Sequence, residues 1–594
     1  MSESDEEFSL DRRPDGRTAT PASLRLRTAT RALRLHLDSL PVDYDLEVSG
    51  DRFLAGVAFL LARQRYACAE SMIGAGFGGT VLGAIARNLF HDGLRWLWVG
   101  DDPDRRRALL GELRDERNRL CIRIEQTKTS VGNLTRWLMP LPDVADLTGR
   151  SLSWMDAPEI PGERELIDDF LAYRTAAQGA TDAEADHAKL LRRTRTLLDM
   201  SGLRGAVMVL AHAGHGNHLG MLSSLAQDGV AGCDLRADHE ALFMQVAAAG
   251  TVAVLLGTAA SLPQAWPADV PREPFLERAV ELTADVTAAA TPIHNLDTEK
   301  RPVPQTKNKG KGTKKPLPLL RPGVVLDTGE LLPDVNSVHA MSAAVEEYHN
   351  LTGSRWFTRA QDSEQPALHI ALTYYGGHSN LQAVTETYDK PGSEMIAPFA
   401  ARMLMEEAAR ITWRYSTGDG PEVFAARAKQ YFDDSRARRR KTIDTLTGSG
   451  LRRADAERIF AMPDNVHVIT PQDEIAKGAK KLPGIDGMLR QMGAPYPEPG
   501  WLEVAYSLLS QITHSTTLGH LHSLRFRGPT ATNELSPEML GLTLDVACLS
   551  SAHIIGLGAR LMADDSEEAV EYQRALHRQA AKVHDLARCV HGLD

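Results

Sequence analysis

Cysteine is scarce and scattered: Cys68, Cys121, Cys233, Cys548 and Cys589 are odd in number, far apart and form no CxxC pair. That excludes a disulfide framework and a zinc ribbon. The chain also has no GxSxG, HExxH or GxxxxGK[ST] motif and no cysteine nucleophile in a suitable setting, so the commonest hydrolase, metalloprotease and P-loop chemistries have no anchor. It lacks an excess of positive charge: at −11 there is no global electrostatic footprint for nucleic acid, which leaves only local basic patches. The opening MSESDEEFSLDRRPDGR has no apolar core and does not read as a secretory signal, so a reducing cytoplasmic location is expected.

What is present is ordinary for a globular protein, 43% hydrophobic and 24% charged over 594 residues, ample to bury a core without staples. From Ala241 to Ala268 no charged residue occurs, long enough to cross a bilayer. The corresponding stretch Met539 to Ala559 carries Asp545 and His553. A buried core helix accounts for both stretches and a span for only one, so no membrane partner is expected.

That correspondence belongs to a repeat. GTVLGAIARNLFHDGLRWLW (79–98) places Arg87, His91 and Arg95 at four-residue steps on one helix face, closed by Trp98. Arg402, Glu406, Arg410 and Trp413 repeat the pattern 315 positions later. GAVMVLAHAGHGNHLG, ending at Gly220, is echoed by EVAYSLLSQITHSTTLG, ending at Gly519, which pairs His215 with His514 at an offset of 299. The expected fold is therefore all-α: two tandem diverged helical-bundle modules, 51–262 and 335–594. A disordered tail (1–20) and an amphipathic helix (21–50) precede them, and a linker (263–334) joins them.

The recurring row invites two readings. Arg402, Glu406 and Arg410 form a ladder of charge-assisted hydrogen bonds, and His215 and His514 sit on another helix that packing brings to the polar row. It is either a site between helices for an anion or a buried network fixing helix register. The second is favoured. His91 replaces the glutamate in the first module and accepts from arginine only when neutral. There the arginines lack an internal anion, so a ligand is expected there first.

Other motifs weigh less. His212, His215 and His218 span nearly two helical turns, too long for one ion, so no metal is expected. Gly74-Ala75-Gly76-Phe77-Gly78-Gly79 matches GxGxxG, but ARQRYACAESM before it looks helical, and a dinucleotide fingerprint needs a strand there. An interhelical turn is expected, and no cofactor. Arg25, Arg27, Arg31 and Arg34 alternate with leucines after Thr20-Pro21, read as an amphipathic helix with solvated arginines. Between Lys300 and Arg321, eight Lys/Arg with Gly and Pro but no acid or aromatic read as a soluble linker. ALHIALTYY (367–375) and NVHVIT (465–470) have the makings of short strands. Thr470-Pro471-Gln472-Asp473 and Ser536-Pro537-Glu538 are helix starts, and the last segment is helical to a stop at Gly592.

An R-x3-E/H-x3-R helix, a charged helix after it and a later small-residue helix with one histidine resemble a widespread group of uncharacterised all-helical bacterial proteins, here in duplicate. That group is distantly similar to the HEPN (higher eukaryote and prokaryote nucleotide-binding) bundles. The resemblance implies a bacterial defence or stress pathway, with RNA or a protein as partner. It also implies a pseudo-dimer within one chain, with further oligomerisation open to it. Many HEPN proteins are metal-independent ribonucleases with an R-x4–6-H motif, in which histidine is the acid/base and arginine steadies the phosphorane charge. Arg87-x3-His91 is one residue short of that motif; Arg31/His36 and Arg578/His584 match it, at a rate chance explains. The expectation from residues and resemblance together is a non-catalytic ligand- or partner-binding protein, with a HEPN-like ribonuclease as the alternative.

Overall fold

Helix-capping chemistry and apolar periodicity divide the chain into helices. The computed structural model describes residues 20–41, 50–100, 102–134, 159–163, 165–166, 209–212, 235–261, 266–296, 335–353, 365–415, 421–448, 451–460, 482–496, 498–523, 525–527, 530–532, 534–562 and 566–593. The N-terminal half contains α1 (Pro21–Asp38), α2 (Gly50–Ser71), α3 (Gly79–Val99), α4 (Pro103–Thr127), α5 (Ala237–Ser261) and α6 (Arg272–His294). The C-terminal half opens with α7 (Val335–Leu351), α8 (Gln365–Thr385), α9 (Ile396–Arg414) and α10 (Pro421–Gly448). Then come α11 (Arg453–Ile459), α12 (Ile485–Gly493), α13 (Trp501–Thr513) and α14 (Thr517–His522). The half ends with α15 (Pro537–Met562) and α16 (Glu567–Val590). Among the described residues the only strands are β1 (Arg525–Arg527) and β2 (Thr530–Thr532), an antiparallel pair that leaves the protein all-α in class.

Local signals account for the boundaries. Thr20 accepts from the Ser23 amide and Asp102 from the amides of Asp104 and Arg105, each cap followed by proline at the first helical position. The Ser536 hydroxyl takes the Met539 amide, and α16 stops before Gly592 at φ +68°. Gly74, Gly76 and Gly78 all have positive φ, and the GAGFGG turn joins α2 to α3, so helix rather than strand precedes it.

The two long apolar helices are central, not peripheral. α5 and α15 are apolar enough to cross a membrane, yet the apolar window of α5 is wholly buried and that of α15 almost so, inside this protein. α5 packs against α3, α6 and α2; α15 packs against α9, α16 and α8. α6 also lies on α1, and α16 on α7. The α3–α5 crossing is tight because glycines line it: a Cβ on Gly93 would lie 2.6 Å from the Gly250 carbonyl oxygen, and one on Gly257 would lie 2.4 Å from Trp96 backbone.

Three expectations change. Residues 367–375 lie in α8, not a strand; an apolar run this short has no period of its own, and the packing of α8 as a helix on α15 decides it. Within 263–334, residues 272–294 form α6, whose Phe275, Leu276, Ala279, Val280, Val286 and Ala290 are buried, so this stretch belongs to the packed helices and is not a connecting segment. The α1 arginines are partly engaged: Arg27 donates to the Ile73 carbonyl at 2.9 Å and Arg34 pairs with Glu70 at 3.3 Å. The segments 1–19, 465–470 and 300–321, and the Thr470 helix start, lie outside the described residues.

The halves reach into one another. Asn133, beyond α4, donates from its amide to the His591 carbonyl and from its side chain to the Val590 carbonyl, at the end of α16. Conversely Arg458, beyond α10, donates to the carbonyls of His294 and Asn295, at the end of α6.

Candidate functional site

The C-terminal row assembles as a network. α9 stacks Arg402, Glu406 and Arg410: Arg402 reaches Glu406 Oε1 at 2.8 Å and Arg410 reaches Glu406 Oε2 at 2.6 Å. α13 and its C-cap supply a second row at four-residue steps, Tyr506, Ser510 and His514. Arg402 donates to all three, at 3.1, 3.2 and 3.2 Å, so His514 Nε2 is the acceptor. Tyr506 returns a 2.8 Å bond to Glu406 and lies under the Arg402 guanidinium. Arg402 and Glu406 are only 3% and 2% exposed, so both charges are inside the protein. Burial pulls the Arg402 pKa down, but Glu406 and Tyr506 outweigh it and keep the group firmly charged.

The N-terminal row is built differently. Arg87 pairs with Glu163 at 3.3 Å; Arg95, 2% exposed, pairs with Glu112 of α4 at 2.5 Å. The expected missing anion is therefore present: charged partners come from elsewhere in the chain, because a long guanidinium reaches a neighbouring helix as readily as its own. His91 keeps a little solvent-exposed surface but is ringed by protein atoms, and burial, then Arg95, then Arg87, lowers its pKa and favours the neutral ring. His215 and His218 lie outside the described residues. His212 bonds Thr442 of α10 at 2.8 Å.

The turn between α13 and α14 caps the N-terminal row from the other half. Ser515 holds φ +50°, uncommon for a residue with a side chain, and sends its hydroxyl to the Asn88 carbonyl. Asn88 in turn donates to the Ile512 carbonyl, and Arg65 of α2 contacts the Ser515 hydroxyl at 3.4 Å. Thr517 gives both its amide and hydroxyl to Glu112, the partner of Arg95. Asp92, fully buried, lies 3.2 Å from His520 Nε2. Burial would raise its pKa, but His520, Arg95 and Arg65 hold the carboxylate below its ordinary range. Gln511 bonds Glu116 of α4 at 3.0 Å.

The acids at Asp92 and Glu407 escaped the sequence reading, although 407 lies 315 positions after 92 and an acid recurs there. Glu407 is 3% exposed, and its Oε1 has no hydrogen-bond partner among the described residues. Tyr506 and Ser510 also went unread, although their four-residue steps to His514 mark them, whereas nothing in sequence marks Glu112 or Glu163. The two R-x4–6-H matches are separately engaged: His36 stacks on Phe275 at 4.1 Å, and His584 pairs with Asp545 at 3.0 Å.

Chemically the two rows can hold helices in register, and every guanidinium in them already faces a carboxylate of the chain. Comparisons with protein-family models, curated proteins and solved structures find no match to this chain.

Proposed function

We propose that this chain is a non-catalytic helical ligand- or partner-binding protein, built as two diverged copies of one bundle that embrace like a dimer. The duplication is supported by equivalent packing: α1–α2–α3, α5 and α6 neighbour one another as α7–α8–α9, α15 and α16 do. The reciprocal reach of Asn133 and Arg458 to the last helix of the opposite half supports the embrace. One observation carries the non-catalytic reading: Arg87, Arg95, Arg402 and Arg410 each pair with an internal carboxylate, Arg402 and Arg410 sharing Glu406, and two of the four, Arg95 and Arg402, are buried. A phosphodiester would have to displace Glu406 or Glu112 and expose an unpaired buried charge, which is strongly unfavourable.

The alternative, a HEPN-like ribonuclease, draws support from the Arg402–His514 contact, an arginine and an imidazole together beside a tyrosine. Incubating the full chain with single-stranded RNA and chelator separates the two readings. We expect no cleavage above the blank. Metal-independent cleavage that disappears in His514→Ala, with the unfolding transition unchanged, would overturn the non-catalytic reading.

A further inference from the structure

A cleft of about 570 Å³ opens where the end of α15 meets α16, and it shares no residue with the guanidinium rows. α16 presents Gln573, Arg574, His577, Arg578 and Ala581 along one face, and Arg560 of α15 completes the wall. The helices meet closely behind it, since a Cβ on Gly556 would lie 2.6 Å from Gln573 Cγ. Three guanidiniums, one imidazole and one amide therefore line the cleft, and among the described residues no carboxylate does.

The surroundings hold this wall in place. Arg560 Nη1 donates to Gln573 Oε1 at 3.0 Å. Arg574 and Arg578 share a single acid, Glu571, at 3.6 and 2.8 Å, and that acid stands outside the cleft, 55% exposed. An ion pair this exposed contributes little and yields readily to a better anion. His577 meets the His553 ring edge-on at 4.8 Å, and His553 is fixed by Tyr496 at 2.7 Å and Thr412 at 3.3 Å. Burial, then His577, takes the His553 pKa down to about 3, so a neutral ring backs the cleft.

We propose that this cleft binds a small, multiply charged phosphate ligand of the pyrophosphate class. Planar guanidiniums match phosphate oxygens in paired hydrogen bonds, and three of them suit an anion carrying more than one charge. The volume falls within the range of small-molecule sites. A long polyanion is disfavoured by the −11 net charge of the chain and by a wall without an aromatic stacking platform. The proposal stands apart from the non-catalytic reading and survives its failure.

Isothermal titration of the full chain with pyrophosphate tests it, with a single-stranded homopolymer RNA as second probe. Saturable one-to-one binding is expected, weakened at least about tenfold in Arg574→Ala/Arg578→Ala, because the two lost guanidinium contacts together are worth at least about 1.4 kcal/mol. Both side chains are more than half exposed, so the unfolding transition of that variant should match the parent. Glu571→Gln, which removes the competing carboxylate, should bind pyrophosphate several-fold more tightly. Absence of saturable binding, equal affinity in the double-alanine variant, or RNA binding that outcompetes pyrophosphate would each overturn the proposal.

Discussion

Glu407→Gln should make this protein more stable at neutral pH, and more so as pH rises. Glu407 follows Glu406 on α9 but points away from the ladder: a Cβ on Gly376 of α8 would lie 3.2 Å from its Oε1, and that oxygen has no hydrogen-bond partner among the described residues. Burial raises its pKa from 4.5 to about 8, with Arg410 pulling the other way, so it is a neutral acid at pH 7. The folded state therefore holds this proton more tightly than the unfolded chain. Its contribution is complete below pH 4.5, falls as pH rises, and is exhausted above about pH 8. A gap of about 3.5 units at about 1.4 kcal/mol each gives an amplitude of about 5 kcal/mol, of which about 3 kcal/mol is already lost at pH 7. Glutamine keeps the shape and cannot ionise. Thermal unfolding of parent and variant, followed in parallel from pH 4.5 to 9, should give a difference in Tm near zero at the acid end. It should grow in favour of the variant up to about pH 8 and then level off. A difference independent of pH, or a variant less stable than the parent at pH 8, would refute the reasoning.

Glu406→Gln tests the ladder itself. It strands two guanidiniums, one of them 3% exposed, and should cost about 3–5 kcal/mol in urea denaturation; a loss below about 1 kcal/mol would mean the network is not structural. Gly250→Ala and Gly487→Ala should move stability in opposite directions. A Cβ at Gly250 lies 2.6 Å from Leu89 and Phe90 backbone and should cost about 1–3 kcal/mol, whereas Gly487, inside α12 with nothing within 4 Å, should gain up to about 1 kcal/mol.

Arg402, Glu406 and Arg410 were legible as a ladder because four-residue steps on a helix are local geometry. His514 joins them because a helix in another part of the chain packs on α9, which no local pattern dictates. The partners of Arg87 and Arg95 were not legible for the same reason. Glu163 lies 76 residues away, and Glu112 sits among many acids on a charged helix. α6 went unread because its buried Phe275, Leu276, Val280, Leu282 and Val286 are set among alanines and threonines that blur the period, and its burial against α1 and α5 comes from the rest of the fold. The strand reading of 367–375 failed on the same footing.

By itself, then, the sequence determined the helical class, a few helix ends (Thr20-Pro21, Ser536-Pro537 and Gly592) and the recurrence of the guanidinium row. Those follow from caps, periodicity and spacing, which act within a few residues. Tertiary structure alone decided that Arg87 and Arg95 find carboxylates elsewhere in the chain, that the turn at Ser515–Thr517 of one half seals the helix of the other, and that three arginines converge on an open cleft. These are matters of long-range packing: burial makes a charge seek a partner, and only the folded chain decides which partner is near.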